Sequence, residues 1–268
     1  MYRSGTVGAD AAGGAEINVV DIGELVTYCD TLLASATFVD YCPNGLQVEG
    51  ERAVRRLATG VTASQALIEA AVDEGADALL VHHGFFWKGE PPCLVGMKGR
   101  RLRALIRHGL SLVVYHLPLD AHPELGNNRQ LARVLEISEP AATAAGDGLV
   151  WQGRLRQSMV GPAFAAQVAV ALGRVPIHVA GHERPISRIA WCTGAAQGFI
   201  EQAALLGVDA YLSGEISEQT THQARELGLD YVAAGHHATE RYGVHALGQH
   251  LAERFGIEHL FLDLDNPA

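Results

Sequence analysis

Three places in this 268-residue chain set histidines beside one another or beside acids at the ends of apolar runs. His82 and His83 follow the run Ala78–Val81, His116 stands four residues before Asp120, and His236 stands four before Glu240. Imidazole with carboxylate, and without thiolate, is a ligand set for zinc, manganese, iron or nickel. A lone histidine is more often structural, but three such clusters at matching positions point to one metal site. Within a strand His82 and His83 would face opposite sides. They serve one site only if the strand stops there, with Gly84 as a flexible exit, or they address two neighbouring ions from different directions. His236 and Glu240 share a face near the first turn of a helix starting around Ala238, and a carboxylate can bridge two cations, so Glu240 is the candidate for a shared ligand. His237 falls about 100° away from that face. Asp120 is the ligand candidate of its own cluster, with His116 orienting a ligand or transferring a proton.

The elements that carry these residues repeat. Ser64–His83 aligns with Ala196–Glu215 at a constant offset of 132, with Gln65/Gln197, Ile68/Ile200, Glu69/Glu201, Gly75/Gly207 and Asp77/Asp209 among the identities. Strands at Leu57–Val61 and Ala78–Val81, with a helix at Ser64–Glu74 between them, have counterparts 132 residues on. Leu112–Tyr115 and Val232–Gly235 are further strands, each followed by His, three residues and an acid at an offset of 120. Helices near Gly99–His108 and Glu218–Leu227 complete two β-α-β-α-β halves, which predicts mostly parallel pairing with right-handed crossovers. In such sheets ligands bind beyond the carboxyl ends of the strands, where the three clusters fall. The second half ends its unit in Ser213-Gly214-Glu215 instead of Val81-His82-His83. Glu215 is there either as an acid–base group facing the cleft or as an exposed structural carboxylate.

Around the halves, Ile17–Ala34 reads as a first helix with Asp21 as its N-cap, and Asp40–Gly50 as a loop with turn residues Pro43, Asn44 and Gly45. Ile137–Asp147 reads as a linker or surface loop. Leu149–Arg156 and Ile177–Ala180 read as strands flanking a helix at Pro162–Leu172, and the chain closes with a helix at Tyr242–Phe255 and a strand at His259–Leu264. Residues 1–16, rich in Gly and Ala, read as a flexible tail. Phe85-Phe86-Trp87 reads as core or subunit contact.

Composition narrows the function. Apolar residues make up 48% and charged residues 19%, which excludes a disordered chain, and no apolar run reaches the roughly 18 residues that span a bilayer. The formal charge of −10 gives no general pull toward nucleic acid, and the basic runs Arg52–Arg56 and Lys98–Arg107 read as solvated faces. Four scattered cysteines without a CxxC pair suit a reducing cytoplasm. There is no Walker A sequence, dinucleotide fingerprint or GxSxG elbow.

The segments DYCPNGLQVEG, GVTASQ, VHHGFFWKG, HLPLDAHPELGNN, SGEISEQ and AGHHATERYG, in this order, resemble the GTP cyclohydrolase I type 2 homologue family, or Nif-three-like dinuclear metal-centre hexameric proteins. The likeness runs from about Ile17 to the end of the chain and fits the short bacterial form, which lacks the domain inserted between the halves of longer members. It implies an α/β fold of three α/β/α layers with two structural repeats, made of a first lobe (about 17–130 plus 230–268) and a second (about 131–229), assembled into a toroidal homohexamer. It implies two divalent metal ions per subunit on His82, His83, Asp120, His236 and Glu240, with Glu240 shared. The activity implied is hydrolytic opening of a purine nucleotide ring, with hydroxide adding at C8 and His116 or Glu215 assisting proton transfer. The alternative is a non-enzymatic metal-binding scaffold or regulatory protein built as the same ring.

Overall fold

Asp21 caps the first helix as its side chain suggests, accepting from the Gly23 amide at 2.8 Å. The computed structural model describes residues 17–268, so the tail expected over 1–16 lies outside the described residues. The helix is shorter than expected: β1 (Val20–Asp21) precedes α1 (Ile22–Leu32). The chain continues through β2 (Gly45–Val48), β3 (Ala53–Val54), β4 (Arg56–Thr62), α2 (Gln65–Asp73), β5 (Ala78–His83), α3 (Gly96–Arg107) and β6 (Ser111–Val114). Two short helices, α4 (Leu117–Ala121) and α5 (Asn127–Val134), lead to β7 (Ser138–Ala142) and β8 (Trp151–Met159). Then come α6 (Gly161–Leu172), β9 (Ile177–Val179), β10 (Ile186–Trp191), α7 (Ile200–Leu205), β11 (Ala210–Ser213), α8 (Glu218–Leu227) and β12 (Asp230–Ala233). The long α9 (His236–Phe255) and β13 (Glu258–Phe261) close the chain.

Two larger sheets result, in the orders β13-β4-β5-β6-β2 and β7-β8-β10-β11-β12-β9. In each, three consecutive strands of the repeat run parallel: β4-β5-β6 in the first and β10-β11-β12 in the second. The duplication holds to the residue, because Leu57 pairs with Ala78 and Ile189 with Ala210, both shifted by the same 132. The added strands differ. β2 is antiparallel at one edge of the first sheet, while β8, β7 and β9 all pair antiparallel in the second, so mixed pairing is most pronounced there.

Two readings of the sequence change. β12, grouped with the first lobe, hydrogen-bonds into the second sheet, so the chain returns to the first sheet only with α9 and β13. Within Ile137–Asp147, read as a linker or surface loop, Ser138–Ala142 forms the edge strand β7; its Pro140 and exposed small side chains suit an edge, where one row of backbone groups needs no partner.

Side chains alternate to the two faces of each sheet and bury against helices on both. Leu57, Ala78, Leu80 and Val113 pack with α1 and the Val244, Leu247 and Leu251 face of α9. Their neighbours Ala58, Leu79, Val81 and Leu112 pack on the other face with Leu67 and Ile68 of α2 and Leu102 and Leu105 of α3. The second sheet repeats this, with α5 and α6 beneath Ile189, Trp191 and Leu212, and with α7 and α8 beneath Ala190 and Tyr211. Each half is thus a three-layer α/β/α sandwich.

Candidate metal centre

The carboxyl ends of β5 and β6 and the start of α9 bring the three sequence clusters together. β5 ends at His83, as a shared site requires. Gly84 is there for space rather than flexibility: a Cβ would overlap Val114 Cγ2 and Gln47 Oε1. The second half shows how the matching acid is placed. β6 and β12 align at an offset of 119, one short of the 120 that separates His116 from His236, so one extra residue follows β12. Gly235, with φ of 101°, accommodates the turn, and α9 begins directly at His236, two residues before the expected Ala238.

The five candidate ligands converge. Nε2 of His82 lies 3.5 Å from Asp120 Oδ1 and 3.6 Å from Glu240 Oε1. Glu240 Oε2 lies 3.3 Å from His83 Nε2 and 3.1 Å from His236 Nε2. Two three-donor groups follow, His82/Asp120/Glu240 and His83/His236/Glu240, each with ligand atoms within 4.8 Å of one another, and Glu240 belongs to both. Within these two groups the neighbouring histidines of β5 separate, His82 to one and His83 to the other. Asp120 and Glu240 are buried and His82 is wholly so. Its Nε2 and Glu240 Oε2 have no hydrogen-bond partner among the described residues. Buried polar atoms left unpaired are costly, and here both belong to the converging donor set. These donors fit divalent cations.

Polar neighbours fix each ring. His82 Nδ1 donates to the Tyr115 carbonyl at 3.0 Å, which turns Nε2 toward Asp120 and Glu240 as the nitrogen that could hold a metal. His236 Nδ1 donates to Glu215 Oε1 at 2.7 Å, and His83 Nδ1 meets Thr62 Oγ1 at 3.1 Å. Asp120 Oδ1 accepts from Asn127 Nδ2 at 2.9 Å and from Thr193 Oγ1 at 3.2 Å. Gly194, with φ of +69°, packs so closely that a Cβ would overlap Glu240 Oε1.

Charge follows from the same contacts. Burial works against a proton on His82, yet Asp120 and Glu240 outweigh it and hold the ring up at about 9. His236 is likewise held at about 9 by Glu240 and Glu215 against its burial. Burial dominates at His83 and pushes it down to about 3. Burial also raises the Asp120 carboxyl, whereas the surrounding histidines overcome burial at Glu240 and hold its carboxyl well below the ordinary range.

His116 joins His82 and His83 in a further donor group and lines the cavity in front of the site. Its Nδ1 donates to Asp40 Oδ1 at 2.7 Å. Asp40 also accepts from the Leu117 amide and from Asn44 Nδ2, both at 2.9 Å, and against its burial the His116 and Asn44 bonds lower its carboxyl to about 2. Glu215 reaches the site only through His236 and is not part of the cavity wall. His237 turns away to Asp263. Spacing alone does not single out Asp40, Asn44, Asn127, Thr193 or Gly194 for the site; the segments DYCPNG and HLPLDAHPELGNN contain Asp40, Asn44 and Asn127 without giving them a role. The Phe85-Phe86-Trp87 run divides: Phe85 is core, Phe86 is partly exposed, and Trp87 stands in the cleft with its ring 5.0 Å from that of His116.

The cavity has a volume of about 850 Å³ and is walled by both halves, with Trp87, Tyr41 and Leu117 from the first and Leu149, Cys192 and Phe199 from the second. That is a size for a small organic molecule.

The chain is similar to known proteins over nearly all its length. It is 62% identical over 250 residues to the GTP cyclohydrolase 1 type 2 homolog of Allochromatium vinosum, covering 93% of this chain and 98% of that protein. The homolog of the same name in Escherichia coli K12 is 51% identical, covering 91% and 98%. Among solved structures, ybgI, a protein of unknown function, superposes with a TM-score of 0.89 at 48% identity, covering 93% of this chain and all of that one. TTHA1606 from Thermus thermophilus follows at 0.85 and 34%, with the same coverage. Residues 20–267 match the family described as Duf34/NIF3 (NGG1p interacting factor 3), and the chain belongs to that family.

Proposed function

We propose that the protein is a dinuclear divalent-metal-dependent hydrolase that opens a purine-type ring. The observation that carries this reading is the pair of donor groups sharing Glu240, with unpaired buried atoms on His82 and Glu240, at the floor of a cavity large enough for such a ring. His82, Asp120 and Glu240 would hold one cation and His83, His236 and Glu240 the other. Bound cations would supply a water of lowered pKa and stabilise negative charge on the attacked group. In the net reaction one water is consumed and one C–N bond of the ring opens; the oxygen stays on carbon and a proton passes to the released nitrogen. His116, held by Asp40 and lining the cavity, would carry that proton. Glu215 orients His236 through Nδ1.

The homologues' name, GTP cyclohydrolase 1 type 2 homolog, supports the reaction class. We read the chain as a homo-oligomer, a ring of six. Light scattering should return a mass near six times the 28.5 kDa chain. Four free cysteines suit a reducing cytoplasmic setting, and no helix among the described residues is long and apolar enough to cross a membrane.

Elemental analysis of protein purified without chelator tests the site. About two cations per chain are expected, falling below one in His82→Ala and in Glu240→Gln, with hydrolysis of purine nucleosides and nucleotides lost in both. Full metal content and full turnover in Glu240→Gln would overturn the reading.

A further inference from the structure

The walls of the cavity say what kind of molecule it takes. Aromatic and aliphatic side chains come from both halves: Phe38, Tyr41 and Trp87 on one side, Leu149 and Phe199 on the other. Ionisable groups gather at the floor, where Asp120 and Glu240 meet His83, His116 and His236. Beyond these, the one further charged lining residue is Asp147, an exposed acid. Among the described residues no Lys or Arg side chain lines the cavity. Sites for phosphate chains are built from divalent cations, Arg, Lys or free helix N-termini, and the cations of this site are taken up by the ring to be opened. The long helix that begins here, α9, already has Glu240 in its first turns and Glu215 against His236. The cation next to this rim along the chain is Lys88, whose amide donates to the Tyr41 carbonyl at 2.7 Å but whose side chain is exposed and outside the wall.

We infer that the cleft takes an uncharged, planar nitrogen heterocycle, a nucleoside or a free base or pterin-like ring, and not a nucleoside triphosphate. The inference rests on the hydrolase reading, which puts the ring carbon to be attacked on the metal floor. A substituent on the far side of that ring then points toward the mouth, away from the cations committed to the ring, where a polyphosphate would meet Asp147 and apolar walls and no cationic side chain. A ring between aromatic and aliphatic side chains gains from burial and stacking, about 1–3 kcal/mol per stacked base on alanine substitution.

Calorimetric titration of the metal-loaded, full-length protein with guanosine, inosine, a neutral pterin, GMP and GTP tests this without requiring turnover. At least one uncharged ring should bind ten-fold or more tighter than GTP, with little dependence on salt. Phe199→Ala should weaken that binding about five- to hundred-fold while leaving the metal content at its original value, and Lys88→Gln should change neither ligand's affinity. GTP binding tighter than every uncharged ring, or a loss of GTP affinity in Lys88→Gln, overturns the inference, as does failure of all the uncharged rings to bind. The two readings separate cleanly. An uncharged ring that binds tightly but is never opened removes the hydrolase and leaves the ligand class standing. A phosphorylated substrate opened with higher kcat/KM than its dephosphorylated form does the reverse.

Discussion

Glu240 touches both halves of the donor set, yet its position depends on residues that carry no charge. Gly194 is one. Its φ of +69° is a conformation that side chains other than glycine adopt at a cost, and the space a methyl group would fill belongs to Glu240 Oε1. Gly194→Ala should therefore displace the carboxylate, cut bound metal to below one ion per chain and destabilise the fold by about 1–3 kcal/mol, read by elemental analysis and urea unfolding. Asp40 acts on His116 in a different way. Asp40→Asn keeps the shape but exchanges a charged acceptor for a neutral one that can present its amide to Nδ1. Turnover should fall about 10–100-fold, with KM and metal stoichiometry unchanged, since Asp40 belongs to neither shared donor group. The five candidate ligands were legible in the sequence because three clusters of histidines and acids at the ends of apolar runs do not coincide by chance, although a single polar group there is common. Asp40 and Gly194 were not, because each acts on a partner far along the chain, 76 residues away for Asp40 and His116. In sequence both look like ordinary turn residues.

At the level of strands and helices, the repeat could be read because its two copies solve the same backbone problem. Asp77 and Asp209 stand before β5 and β11 and each accepts from two successive amides at the foot of the neighbouring strand: Arg55 and Arg56 in one half, Ser187 and Arg188 in the other. Removing either carboxylate leaves two backbone donors without their acceptor, so Asp77→Ala and Asp209→Ala should each cost about 1–3 kcal/mol in denaturant unfolding. The amides and Arg184 lower the Asp209 carboxyl from 3.8 against its burial. A carboxyl lowered in the folded state stabilises above its unfolded value and loses that contribution as pH falls through the folded one. The gap between wild type and Asp209→Ala should accordingly be constant at neutral pH and shrink below about pH 3.8. Helix ends were less legible. α9 starts at His236, well before the apolar spacing that suggested Tyr242, because its first turns are occupied by the site's own polar residues, which give no hydrophobic period. β7 was hidden for the opposite reason, since an exposed edge strand of small residues has no buried face to impose alternation.

Across the whole molecule, the site lies where the two sandwiches meet. His82, His83 and Asp120 come from the ends of the first sheet and from α4, while Thr193 and Gly194 follow β10 of the second, and α9 links the last strand of one sheet to the last strand of the other. The sequence predicted two α/β halves correctly from periodicity and self-similarity. It did not show which outer strands complete them, because antiparallel additions such as β2 and β8 are fixed by partners distant in the chain. A cavity walled by both halves makes ligation a tie between them: cations bound by the folded site and not by the unfolded chain stabilise the fold through mass action. At free metal about a thousand times Kd the gain is about 4 kcal/mol per site, so about 8 kcal/mol for two sites, which for a chain of this length raises Tm by roughly 15 °C. The loaded protein should melt in one transition, and chelation should lower it by that amount, restored when metal is returned. His82→Ala should melt near the chelated value and respond to neither treatment. A Tm that ignores chelation in the wild type, with metal shown to be removed, would mean that the donors do not tie the halves together and that the cations bind at the surface of an already closed fold.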